Sequence, residues 1–298
     1  MTFIGTKIDR KKTVISFVFL FSMLVILNLF YFFSEGFTFS KIESFTQDKI
    51  AYNSGEIPPN VFNQKFSYLG KGAQVYVFLS EDQKHVLKIY RKSKYSITFF
   101  DRFFSFSLNQ YLSKKERLDY NQKKSLESYP ISYEFLKPIT GLVYMHLMKT
   151  TNLFPKVVLE DKLKRKRTLS LDDYIFLIQK RARPLKEKLH QFYLNHDEDN
   201  FKKYLISYGK AILFRIDNQI ADRDFLNALR NAGVYENQVI FMDVGGFYKN
   251  PILKTKERKE QEIQSTLKNL EDFIKKNMPE MKSCFDGVKH NLLQESNS

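Results

Sequence analysis

Ile220-Ala-Asp222-Arg-Asp224-Phe-Leu-Asn227, a polar stretch, and then Val239-Ile-Phe-Met-Asp243-Val-Gly245-Gly246 form the segment on which the reading of this chain turns. An Asp is followed five residues later by an Asn, and an apolar strand then closes on Asp-x-Gly. Joined by a hairpin, these residues bring two carboxylates and an amide carbonyl together. Such oxygen donors suit a Mg²⁺ ion held against phosphate and a carboxylate aimed at a hydroxyl nucleophile.

Upstream, Phe66-Ser-Tyr-Leu-Gly-Lys-Gly-Ala-Gln-Val-Tyr-Val-Phe-Leu79 and His85-Val-Leu-Lys-Ile-Tyr90 flank the charged turn Glu81-Asp82-Gln83-Lys84. Their β-branched and aromatic content predicts strands joined by a hairpin. Gly70 and Gly72 at the first bend let backbone approach phosphates closely, and Lys88 inside the next strand can reach back to them. Further strands are expected at Gly141–Leu147 and Lys156–Asp161. Ser170-Leu-Asp-Asp173 is a capping signature that predicts a helix running on through Pro184, with a kink or break there. Phe201, Tyr204, Leu205, Tyr208, Ile212, Leu213 and Ile216 recur at intervals of three and four. That spacing predicts an amphipathic helix leading directly to Ile220.

In this order the motifs resemble the protein-kinase-like fold. Gly70-Lys-Gly72-Ala73 is similar to the start of its glycine-rich loop, Val86-Leu-Lys88 to its lysine strand, Asp222 with Asn227 to its catalytic loop, and Asp243-Val-Gly245 to its Asp-Phe-Gly motif. The resemblance covers about Phe66 to Tyr248. It implies an α+β, bilobal architecture, with a small β-rich lobe at 61–161 and a reduced, largely helical lobe at 162–298. It also implies ATP and Mg²⁺ as cofactors, bound between the lobes. Lys88 would lie on the phosphates, held by Glu127 from a helix at about Ser113 to Tyr129, with Glu116 and Glu134 as fallbacks. Gly70, Gly72 and Ala73 would cover the nucleotide, and the backbone from Glu160 to Lys162 would form the hinge against adenine. Asp222 would orient the acceptor hydroxyl, while Asn227 and Asp243 would hold the metal.

Several positions depart from that pattern. Val75 stands where the loop has its third glycine, Ile220 replaces the usual His of the catalytic loop, and Asp224 occupies a position commonly Lys or His. A carboxylate there repels phosphate unless it is paired with Arg223, Arg230 or a metal. After Asp243 the chain has room for about two helices and contains no Ala-Pro-Glu segment, so the peptide-docking part of a typical protein kinase is missing. The resemblance is therefore to compact families that phosphorylate sugars, lipopolysaccharide cores or other small molecules, or to a pseudokinase. Two classes of function follow: a phosphotransferase with a lipid, glycan or protein acceptor, or a catalytically inactive module binding a partner or nucleotide at the membrane.

Composition sets outer limits. With 43% hydrophobic and 15% aromatic residues among 298, the chain can bury a large core. The single Cys284 excludes an intramolecular disulfide, and the five histidines show no metal-binding spacing. A net charge of +15 is densest at Lys162-Leu-Lys-Arg-Lys-Arg167. No RNA-binding aromatic signature or recognition helix accompanies it, which favours solvated faces or attraction to a membrane surface over nucleic acid.

The run from Thr13 to Phe33 is almost unbroken in apolar residues and, as a helix, reaches roughly 30 Å, the hydrocarbon thickness of a bilayer. We read 1–12 as a basic N-terminal segment, 13–33 as an uncleaved single-pass anchor and 34–60 as a membrane-proximal linker. Lys7, Arg10, Lys11 and Lys12 keep the short N-terminus cytoplasmic by the positive-inside rule, which places the large domain on the other side. A nucleotide-dependent enzyme lacks ATP there, so charge and motif pull in opposite directions. A compartment-sensitive reporter fused to the C-terminus should read non-cytoplasmic, and a cytoplasmic signal would overturn the charge reading.

Overall fold

The computed structural model describes residues 10–42, 44, 53–54, 57–58, 60–72, 74–91 and 108–296. The Phe-rich piece from Ile97 to Leu108, whose composition marks an insertion packing on the small lobe or lying against lipid, lies outside them up to Ser107. The architecture is mixed α+β. Helix α1 (Arg10–Phe33) includes Ile15–Phe33, which is long and apolar enough to cross a membrane and has no part buried in the protein.

A seven-stranded sheet follows, built from β1 (Phe66–Lys71), β2 (Val75–Ser80), β3 (His85–Tyr90), β4 (Leu142–His146), β5 (Lys156–Glu160), β6 (Lys166–Ser170) and β7 (Phe176–Lys180). Its order is β4-β7-β3-β2-β1-β5-β6, and among these pairings only β1 with β5 is parallel. Between β3 and β4 run helix α2 (Leu108–Phe135), longer than expected at both ends and containing Pro130, and the single turn α3 (Lys137–Thr140).

The helix expected from Ser170 does not form. Leu171–Asp173 is a single 3-10 turn, and the chain then enters β7. The groups of the signature are engaged elsewhere: Asp172 accepts from the Ser170 hydroxyl at 3.1 Å, the Thr150 hydroxyl at 2.5 Å and the Leu153 amide at 3.0 Å, and Asp173 pairs with Lys149 at 3.1 Å. The next residues, Phe176-Leu-Ile-Gln179, are buried throughout, as a strand wedged between two others requires.

Alternate side chains of this sheet serve two cores. One face packs Phe66, Phe78, Leu87, Phe176 and Ile178 against each other. The other turns Tyr90, Met145 and Leu177 toward the helical part of the molecule. The described residues of the 34–60 segment, read as a linker, are packed against the sheet. Phe37 is wholly buried in the first core and Ile42 nearly so, while the Ser54 hydroxyl bonds the Met145 carbonyl.

The helical part contains α4 (Leu185–Leu194), α5 (Glu198–Asp217), α6 (Lys256–Asn277) and α7 (Lys282–Glu295). Asp197 starts α5 by accepting the Asn200 amide at 3.1 Å, and the apolar stripe from Phe201 to Ile216 is buried as its spacing predicts. Two small sheets follow. Strand β8 (Arg183–Pro184) pairs with β10 (Ala232–Tyr235), which pairs with β11 (Gln238–Phe241), and β9 (Ile220–Asp222) pairs with β12 (Phe247–Lys249). From the sequence the hairpin strands are expected at Ala228–Asn231 and Gln238–Met242; the first in fact begins at Ala232.

Because Phe37 sits in the core, Phe37→Ala in the detergent-solubilised full chain should lower unfolding free energy by roughly 3–5 kcal/mol. An unchanged denaturation midpoint would show that the segment after α1 is only a tether.

Candidate active site

Between the sheet and the helical part lies a cavity of about 290 Å³. Leu69, Val77 and Leu177 form its apolar wall, and Lys88, Arg230, Asn231 and Asp243 its polar one. Gly70 and Gly72 line it from the turn between β1 and β2, and Tyr129 lines it from α2. Ala73 lies outside the described residues. The β1–β2 register shifts between Tyr68 and Gly70. A methyl group on Gly70 would meet nothing within 4 Å, and one on Gly72 only Val75, at 3.5 Å. Packing within the protein does not demand glycine at either place, and the consequence is bare backbone on the cavity wall. Gln74 closes the cavity from the same turn: its amide oxygen accepts from the Tyr129 hydroxyl at 3.1 Å and would lie 2.3 Å from a Cβ on Gly245.

Lys88 reaches across from β3 and donates to the Met242 carbonyl. Burial pushes its pKa down to about 8, against the opposing pull of the Asp243 carboxylate. The expected partner, Glu127, is elsewhere: it is half exposed and pairs with Lys123 at 3.9 Å, and Glu116 and Glu134 are exposed as well. The reason is the face that α2 presents. The Ser128 hydroxyl donates to the Val244 carbonyl and accepts the Phe247 amide, both at 2.7 Å, and the Ser132 hydroxyl also reaches Val244, at 3.2 Å. With Ser128 and Ser132 docked there, the neighbouring Glu127 points away.

The hinge reading of Glu160 to Lys162 also needs correction. β5 pairs with β1 and β6 at the far edge of the sheet, where Glu160 pairs with Lys65 and Lys164, and Lys162 with Glu35. The chain leaves the sheet for the helical part after β7 instead, through Lys180 to Arg183. Strand Lys156–Glu160 has the composition of a last strand, but β7 takes the interior place beside β3.

Asp222 and Asn227, expected in a catalytic loop, do not line the cavity. Asp222 ends β9 and is buried; its Oδ1 accepts the Asp224 amide at 2.8 Å and would lie 2.5 Å from a Cβ on Gly246. It braces two loops rather than facing the cavity. Burial raises its pKa to about 6, while the nearby Arg215 works in the opposite direction. Asp224 is more open, and its two oxygens accept from Asn227 at 2.7 Å and Asn231 at 3.1 Å. The Asn227 carbonyl takes Arg230 at 3.4 Å, so Asn227 serves Asp224 and Arg230. Asn231 lines the cavity and its side-chain amide nitrogen donates to Asp224, while its backbone carbonyl accepts the Met242 amide; among the described residues its side-chain Oδ1 accepts no hydrogen bond.

Behind this loop, the wholly buried Arg215 donates to the Ile220 carbonyl at 2.9 Å, Glu262 at 2.7 Å and Thr266 at 3.2 Å. These bonds fix the entry to β9. Among the described residues no group of three or more His, Cys, Asp or Glu could hold a metal by itself. Asp243 and the Asn231 side-chain oxygen line the cavity together, a sparser oxygen pair of the kind that suits Mg²⁺ bound mainly through phosphate and water. The chain matches no family model, and no curated protein matches it.

A carboxyl with a raised folded-state pKa favours the fold most below its unfolded value, and that contribution is lost as pH rises through the folded value. For Asp222 the window lies between roughly 4 and 6. Asn keeps the acceptor oxygen without titrating. Asp222→Asn should therefore gain up to about 3 kcal/mol over wild type between pH 4 and pH 7 in urea denaturation. A pH-independent difference would refute the assignment.

Proposed function

We propose that this chain is a membrane-anchored, kinase-like phosphotransferase that uses Mg²⁺ and ATP, with Asp224 rather than Asp222 as the carboxylate at the acceptor hydroxyl. The observation that carries the reading is convergence: Lys88, Asn231 and Asp243, far apart in sequence, line one cavity with Gly70 and Gly72. Also in its favour are a lysine strand in the middle of a mixed sheet, a long helix bonded to the Asp243–Gly245 segment, and a loop fixed by a buried arginine. These parts suit the small β-rich and reduced helical lobes of a kinase-like fold.

The roles follow from the donors. Asp243 and the Asn231 side-chain oxygen would hold Mg²⁺, which when bound neutralises charge on the phosphoryl group. Lys88 is the cation for the nucleotide phosphates, and Arg230 adds positive charge on the same wall. Leu69, Val77 and Leu177 supply apolar surface for a base. Asp224, oriented by Asn227 and Asn231, can accept the proton of an attacking hydroxyl. The acceptor belongs to the class of lipid, glycan or protein hydroxyls. A second reading, a nucleotide- or partner-binding module without transfer, draws on two facts: no carboxylate from α2 meets Lys88 among the described residues, and Gln74, held by Tyr129, lies on the cavity wall.

Titration of the full chain in detergent should show MgATP binding that Asp243→Asn weakens by at least about tenfold, whereas Glu127→Gln changes little. Asp224→Asn should leave binding nearly intact and reduce ATP turnover by about 10² to 10⁴. Binding without turnover in wild type would favour the second reading; no nucleotide binding at any magnesium concentration would overturn the phosphotransferase and leave only the partner-binding form of the second.

A further inference from the structure

The strongest basic run in the chain folds into the turn between β5 and β6, and that turn stands at the end of the apolar helix. The Arg165 guanidinium lies 5.3 Å from the centroid of the Phe30 ring. Lys71 and Lys41 lie 5.5 and 6.0 Å from the Tyr31 ring, and Lys162 pairs with Glu35. Phe30 and Tyr31 belong to the last turn of Ile15–Phe33. If that helix spans a bilayer, these cations stand at the depth of the lipid headgroups, where an interfacial Tyr also belongs.

The acids of the turn face inward. Asp161 accepts the Leu163 and Arg165 amides, both at 2.9 Å, and the Arg165 side chain at 2.7 Å. Glu160 is buried against Lys65 and Lys164. The cations face outward: Lys162, Lys164 and Arg165 keep 46%, 81% and 48% of their side-chain surface. Leu163, at the tip between Lys162 and Lys164, is exposed. An apolar tip set among cations is the surface that enters a headgroup layer.

A basic turn can simply be solvated. What singles this one out is continuity with the span, because the chain's own anchor holds the cations at the leaflet. We propose that the turn from Glu160 to Lys166 docks on anionic phospholipid headgroups, with Lys162, Lys164 and Arg165 on the phosphates and Leu163 between the lipids. Lys71 touches Tyr31 and also lines the cavity, so docking holds the glycine turn beside the bilayer surface. This inference is independent of the phosphotransferase reading.

The chain contains no Trp, so Leu163→Trp makes a sole fluorescent reporter. The full chain carrying it would be reconstituted in vesicles of phosphatidylcholine alone and of phosphatidylcholine with phosphatidylglycerol, each containing lipid brominated near the headgroup. The expected result is blue-shifted, strongly quenched emission in the anionic vesicles, reversed by high salt and by Lys162→Gln with Lys164→Gln. Unquenched emission in both membranes would overturn the proposal. Equal quenching in both would overturn headgroup recognition, and failure of the chain to float with vesicles would remove its premise.

Discussion

A buried ammonium joins the two halves of this molecule. Lys88 extends from the middle of the sheet and finds its acceptor, the Met242 carbonyl, on the segment that leaves β11. A charge taken out of water needs a hydrogen-bond partner and a counter-charge. Met242 supplies the first and Asp243 the second. The sheet and the helical part must therefore meet at this one place, and the cavity lies around it.

The rest of the joint is polar and specific. Ser128 links α2 to the backbone on both sides of the Gly245-Gly246 pair, and each glycine lacks a Cβ that would strike a neighbour: Gln74 in one case, Asp222 in the other. These close approaches tie the glycine turn, α2, β9 and β12 into one unit. Arg215 holds that unit from behind through Ile220, Glu262 and Thr266. Movement of any member would be felt at Asp224, whose carboxylate is kept in place by two asparagine amides.

Much of this was legible in the sequence where local chemistry decides structure. Runs rich in β-branched and aromatic residues marked β1, β2 and β3, a three-and-four stripe marked α5, and the apolar run marked α1. Lys88, Asp243 and the two glycines of the first bend all line the cavity. What was not legible depended on tertiary competition. Ser170-Leu-Asp-Asp173 resembles a helix start until Thr150 and Leu153 claim Asp172. Glu127 had a suitable sequence position, but Ser128 and Ser132 determine the face that α2 turns inward. Asp222 and Asn227 satisfied a spacing, but Asp222 is buried and Asn227 is bonded to Asp224 and Arg230, and it is Asn231 that lines the cavity. Glu160 to Lys162 preceded the helical part in sequence but not in space, because β7 was unrecognised.

The central claim is that the cavity around Lys88 accepts nucleotide phosphates, and an acyl-phosphate derivative of ATP tests it most directly. Such a probe acylates the lysine that lies against its phosphates, and peptide mapping identifies the modified residue. Modification of Lys88, prevented by MgATP and lost with Asp243→Asn, is the predicted result. Labelling confined to exposed lysines, unaffected by MgATP, would contradict it.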